Sequence, residues 1–246
     1  MDCEEKGCYI IGLTGASGSG KSAAAKALSG LGAIVIDADE ISHSVVDGRA
    51  ALGELALTFG DWVVGGDGKF DRARVSVRAF SDKEFLARLT GITHKYIIKE
   101  IYRRVEEIKR GAVGDGDAAV DGGDTAADDG DAALIDGCGV GGRRRRRGRR
   151  VIVIDAPIPV SHGFLDLADE VWVIKAGRAQ RLERVMLRDG VSREAAEARF
   201  ASQLSEGEYE ALADVSINNM GDLAELEREI GELYGELYGE LYKELR

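Results

Sequence analysis

Lys21 and Ser22 close the run Gly15-Ala16-Ser17-Gly18-Ser19-Gly20-Lys21-Ser22, spaced as G-x-x-x-x-G-K-S. Glycines at those places let the chain turn so tightly that successive N–H groups point into one concavity, which suits an anion. A lysine and a hydroxyl directly after it suit a nucleoside triphosphate. Lys21 would reach the β- and γ-phosphates, and Ser22 would ligate Mg²⁺. Carboxylates end two apolar runs: Ala33-Ile-Val-Ile-Asp37, followed by Asp39, and Val151-Ile-Val-Ile-Asp155. The second resembles a strand whose Asp lies near the metal, through water. Arg184 and Arg188 stand four apart, on one face of a helical segment. Fixed cations there would offset the charge of a transferring phosphoryl group.

The elements that must position these groups are legible around them. The apolar β-type run Cys8 to Leu13 enters the phosphate loop, and an alanine-rich helical stretch leaves it and stops at Gly30. The helix N-terminus adds partial positive charge where phosphates would sit. Strand, helix and a second buried strand within about thirty residues make a βαβ unit. Parallel sheets of this kind hold ligands at the carboxyl ends of their strands, so Asp37 and Asp39 arrive beside the loop. From Ala50 to Lys109 the apolar spacing is mostly helical. Glu170-Val-Trp-Val-Ile174 is a further strand, a helix runs from about Arg178 to Arg188, and Ser192 caps another. Val215 to Ile217 is the last strand, and the tail repeats Gly-Glu-Leu-Tyr from Gly231 to Tyr242.

Composition bounds the rest. A chain of 246 residues can bury a proper core as one domain with subdomains or as two small domains, and no apolar run reaches membrane-spanning length. MDCEEKG lacks a signal-peptide apolar region, and Cys3, Cys8 and Cys138 form neither a zinc pattern nor a disulfide framework. A reduced, cytoplasmic chain is expected. The net charge of −11 argues against nucleic acid as a partner for the body of the protein. Ala112 to Gly142, rich in Asp, Gly and Ala, reads as a disordered insertion, followed by the basic run Arg143 to Arg150. That run admits a local acid–base association or an RNA-binding arm.

The motifs together resemble the dephospho-CoA kinase family, from Tyr9 to about Leu226. Thr14 to Ser22 match its T-G-G-x-G-S-G-K-S loop, with Ala16 for the second Gly. Val35 to Ile41 match V-I-D-A-D-x-I, and Phe59-Gly60, Asp67-Gly68…Arg72 and His94 follow in order. Asp155-Ala156-Pro157, Arg184 to Gly190 and Ala213 to Asn219 complete the series. Departures fall at Lys95 (Pro in the family), at Ser161 (an acid) and at Arg181 (Gln). The resemblance implies ATP and Mg²⁺ as cofactors and dephospho-CoA as acceptor. It implies that Asp39 accepts or orients the acceptor proton, that Arg72 and His94 bind the acceptor, and that Asn219 faces the adenine. The lid arginines Arg184 and Arg188 are implied as well.

The expected fold is an α/β, P-loop nucleoside-kinase-like single domain with a five-stranded parallel sheet flanked by helices. Its core spans 8–47 and 151–226, with a helical acceptor region at 50–110, an insertion at 112–150, a lid at about 178–212 and a repeat helix at 222–246. The alternatives are a kinase of another nucleotide or small hydroxyl compound, and a nucleotide-dependent RNA-binding switch. Phosphate release without an acceptor would mark the switch.

Overall fold

The computed structural model describes residues 8–111, 150–156 and 165–243. Five parallel strands form one sheet: β1 (Cys8–Thr14), β2 (Ile34–Asp37), β3 (Arg150–Asp155), β4 (Glu170–Lys175) and β5 (Val215–Asn218). Their order is β2-β3-β1-β4-β5. The near-continuous apolar runs expected of strands covered on both faces explain themselves here, because alternate residues feed two cores. Ile11, Leu13, Val151 and Val153 face one core, and Cys8, Ile10, Ile152 and Ile154 face the other.

The first core is closed by α1 (Lys21–Gly30) and by the C-terminal helix, residues Leu223–Lys243. Leu28, Leu226, Ile230, Tyr234, Leu237 and Leu241 are all buried there. The Gly-Glu-Leu-Tyr repeat is therefore helical and part of the main core. A four-residue repeat drifts only about 40° per copy on an α-helix, so three copies keep their leucines and tyrosines on one stripe. The second core is closed by α2 (Ala38–Val46) and by a 27-residue helix, α5 (Lys83–Lys109), through Ile41, Ile97, Ile101 and Val105.

Between them, α3 (Arg49–Phe59), α4 (Arg72–Ser81) and the first turns of α5 make the helical block expected at 50–110. Its small core of Val46, Leu55, Val63, Val75 and Phe85 lies apart from the sheet. After β4 come α6 (Arg178–Asp189), α7 (Arg193–Ala201) and α8 (Glu206–Leu212). Leu182, Val185 and Ala196 join α6 to α7, whereas Tyr209 seats α8 on Val171 and Val173 of β4. The expected lid thus divides into a helix pair and a helix fixed to the sheet. Of the insertion expected at 112–150, Arg150 opens β3 and the rest, like the Pro157 to Ser161 departure, lies outside the described residues.

Candidate functional site

Parallel pairing brings three chain segments together at the carboxyl edge of the sheet. Leu13 and Asp37 are both in register with Asp155, so the entry to the phosphate loop and two carboxylates occupy neighbouring strands. The loop from Gly15 to Gly20 then passes into α1. Gly18 and Gly20 have φ of 78° and 100°, a region only glycine enters freely. A Cβ at Gly18 would strike the Arg181 carbonyl, and one at Gly20 would strike the Asn219 amide. The outer side of the loop is therefore filled by protein, and Ser19 N–H closes its turn on the Ala16 carbonyl at 3.0 Å.

The start of α1 differs from most other helix starts in the chain. Asp37, Asp71, Asp82, Ser192 and Ser205 each accept a backbone N–H at the start of α2, α4, α5, α7 and α8. Gly20 gives α1 no side-chain cap, and its first turn holds no acid. The orphan N–H groups of that turn, with Lys21 at its head, are available to an anion. Lys21 Nζ meets Asp155 Oδ1. Burial pushes the Asp155 carboxyl above the usual carboxylate range; Lys21 opposes that shift, and the charges of Asp37 and Asp39 add to it. Ser22 is exposed in the first turn of α1, and Asp39 is exposed in that of α2. Asp37 holds the Asp39 and Glu40 N–H groups at 2.8 and 3.1 Å, which fixes the direction in which α2 leaves the site.

Among the described residues no group of three or more His, Cys, Asp or Glu could hold a metal ion unaided. Ser22 at the head of α1 and Asp155 at the end of β3 offer one hydroxyl and one carboxylate, and Mg²⁺ takes one or two protein oxygens beside substrate phosphates and water.

The other expected site residues lie on α4, α5 and α6 and just past β5. Arg184 reaches the Gly18 and Asn219 carbonyls at 3.4 Å, beside the loop. Arg188 is turned away onto Asp189, at 2.7 and 3.0 Å, because the adjacent carboxylate offers it a fork-shaped partner. Asn219 is buried, and Nδ2 donates to the Ser19 carbonyl at 2.7 Å. Arg72 bonds both Asp47 oxygens at 3.2 Å and the His43 carbonyl at 2.7 Å, tying the start of α4 to the end of α2. His94 stands on α5 at the seam between Ile92, in the block's small core, and Ile97, against the sheet.

The departures have local reasons. The Ala16 methyl packs on the Val171, Val173 and Tyr209 cluster. Arg181 is buried, bonding the Ala176 carbonyl at 3.1 Å and Glu206 at 2.7 Å, 5.0 Å from the Phe200 ring centroid. Lys95 lets α5 run on without a proline break and bonds Glu54, which also accepts from Tyr96 OH at 2.7 Å. One contact carried no local signal. Gln203, between α7 and α8, bonds Ser17 across 186 residues of sequence.

A family model described as dephospho-CoA kinase matches residues 9–114 and 144–225. The stretch it skips lies inside the insertion expected from composition. The dephospho-CoA kinase of Geobacter sulfurreducens is 34% identical over 226 residues, covering 92% of this chain and 96% of its own. That of Carboxydothermus hydrogenoformans is 31% identical over 222 residues, 90% of each chain. Among solved structures, TT1252 from Thermus thermophilus superposes with a TM-score of 0.66 at 27% identity, over 94% of this chain and 98% of that one. A dephospho-CoA kinase from Campylobacter jejuni, at 23% identity and covering 94% and 97%, superposes at 0.61 and shares the fold.

Proposed function

The chain belongs to the dephospho-CoA kinase family, and from that premise we propose how its own residues carry the γ-phosphoryl of ATP to the 3′-hydroxyl of dephospho-CoA. The observation that carries the reading is the uncapped start of α1, with Lys21 drawn onto a buried Asp155 beside two further carboxylates. An incoming triphosphate takes up the loop N–H groups and draws Lys21 off Asp155 towards its terminal phosphates. Ser22, and Asp155 through water, would hold Mg²⁺, which would supply positive charge against the charge that develops on the phosphates.

Asp39 orients the acceptor hydroxyl and takes its proton. Its carboxylate is exposed at the sheet's carboxyl edge, and its backbone is held by Asp37. Arg184, already beside Gly18, supplies positive charge near the loop, and Arg188 can do so only by leaving Asp189. Arg72 acts on the acceptor side by placing the end of α2, and His94 acts there from its position at the seam. Asn219 serves the nucleotide by supporting the loop beneath Ser19. A cytoplasmic setting is consistent with described helices none of which is long and apolar enough to cross a membrane.

The test is the purified chain with Mg²⁺, ATP and a panel of hydroxyl acceptors that includes dephospho-CoA, with CoA and ADP measured together. Equal yields of CoA and ADP are expected. Phosphorylation of another acceptor in preference to dephospho-CoA would overturn the substrate assignment, and ADP formed without any acceptor would point to a switch.

A further inference from the structure

We infer that Gln203 is a positioning residue for the phosphate loop: it fixes the loop's shape through a two-point clasp on Ser17. The inference rests on the reading of the loop as a nucleotide site and not on the identity of the acceptor. Ser17 N–H donates to Gln203 Oε1 at 3.0 Å, and Gln203 Nε2 donates to Ser17 Oγ at 2.6 Å. Both ends of one amide are therefore used on one residue.

Ser17 is where the loop most needs a hold. The strand ends at Thr14 and the helix begins at Lys21, so neither ladder reaches it. Gly18 follows with φ of 78°, a conformation whose backbone alone does not fix the direction of the peptide before it. Whether the next N–H groups point into the concavity depends on the orientation of the Ser17 peptide, and the amide of Gln203 sets that orientation. The turn bond from Ser19 to the Ala16 carbonyl and the bonds of Arg184 and Asn219 to the Gly18 and Ser19 carbonyls hold the loop around it, and none of them reaches the Ser17 N–H.

Gln203 can act this way because it is itself braced. Its N–H donates to the Phe200 carbonyl at 3.2 Å, ending α7. Next to it Leu204 packs on the Val171, Val173 and Tyr209 cluster, and Ser205 opens α8 with a reciprocal cap to Glu208. The loop thus takes its shape from the part of the lid region that is fixed to the sheet. A loop held before the ligand arrives does not lose that ordering entropy on binding.

The experiment compares the full-length chain with Gln203→Ala, Ser17→Ala and the double variant. Calorimetric titration with Mg·ATP gives affinity without an acceptor. Steady-state kinetics give kcat and both KM values, and thermal unfolding checks the fold. Gln203→Ala should weaken Mg·ATP binding about tenfold, as expected for two lost hydrogen bonds, and raise the KM for ATP to match. The KM for dephospho-CoA should stay within about twofold. Ser17→Ala alone should cost about threefold, and nothing further in the Gln203→Ala background, since the clasp is then already gone.

An affinity for Mg·ATP unchanged in Gln203→Ala overturns the inference, as do losses that simply multiply in the double variant. If Gln203→Ala does not fold, the Ser17→Ala titration decides in the same sense. A wild-type chain that binds no nucleotide overturns the loop reading and the clasp with it. One that binds ATP and phosphorylates a different acceptor overturns only the substrate assignment.

Discussion

The phosphate loop and the helical block between Arg49 and the middle of α5 are held in opposite ways. Each loop residue from Ser17 to Ser19 is bonded to a side chain far along the sequence. The separations are 186 residues to Gln203, 166 to Arg184 and 200 to Asn219. The helical block rests on its own small core, with Lys95–Glu54 joining two of its helices and Arg72–Asp47 tying it to the end of α2, all at partly exposed positions. A group that must meet a phosphate in one geometry is built into a rigid frame. A surface that admits a large acceptor can be tied more loosely, because exposed ion pairs contribute little and yield readily.

Removing the chemistry from the rigid side should have the largest effect. Lys21→Ala is expected to lower kcat by about 10³-fold or more, the scale of losing a charged group that meets the transition state. The thermal unfolding transition should persist, since the Lys21–Asp155 pair is not part of either main core. Lys21 is also the cation that offsets burial at Asp155, so a carbon-detected titration should find that carboxyl higher still in the variant. Turnover at the wild-type rate would break the comparison outright.

Asp39 stands where the two regions meet, and Asp39→Asn should lower kcat by about 10²-fold while leaving the dissociation constant for Mg·ATP nearly unchanged. A rise in that constant with kcat preserved would place Asp39 on the nucleotide side. A smaller effect is expected from Arg72→Ala on the other side. Losing its bonds to Asp47 and the His43 carbonyl should raise the acceptor KM about fivefold and leave the KM for ATP alone. Equal changes in both would mean that α2 is shared by the two sites.

How far the sequence reads follows the same division. The loop, its strand and helix, and the acid at the end of each neighbouring strand are all local patterns of apolar runs, glycines and charges. They appear where the residues predict. The strand order does not, because an apolar run says that a strand is buried and not that β3 will sit between β1 and β2. Arg184 and Arg188 share spacing and helix face, yet Asp189 takes one of them, a choice made between neighbours in space. Asn219 and Gln203 act on loop residues more than 180 positions away, and no periodicity encodes such pairs. The leucine spacing of the repeat predicts the last helix, but not that its leucines and tyrosines complete the main core.

That helix gives the smallest and most selective prediction. Gly235 and Gly239 are exposed, lie within the helix and would place a new Cβ more than 4 Å from any other atom considered. Glycine inside a helix costs about 1 kcal/mol relative to alanine, mainly through the freedom it gives the unfolded chain. Nothing at either position repays that cost with a turn or a close approach. Gly235→Ala and Gly239→Ala should therefore each stabilise the fold by about 1 kcal/mol, about 2–4 °C in the unfolding midpoint for a chain of this size. The buried stripe through Tyr234, Leu237 and Leu241 is untouched, and so is the loop at the far end of α1. Consequently kcat and both KM values should stay at wild type. Stabilisation with unchanged kinetics sharpens the contrast between a frame that tolerates improvement and a loop that does not. A loss of stability in either variant would mean that the repeat packs along a different face.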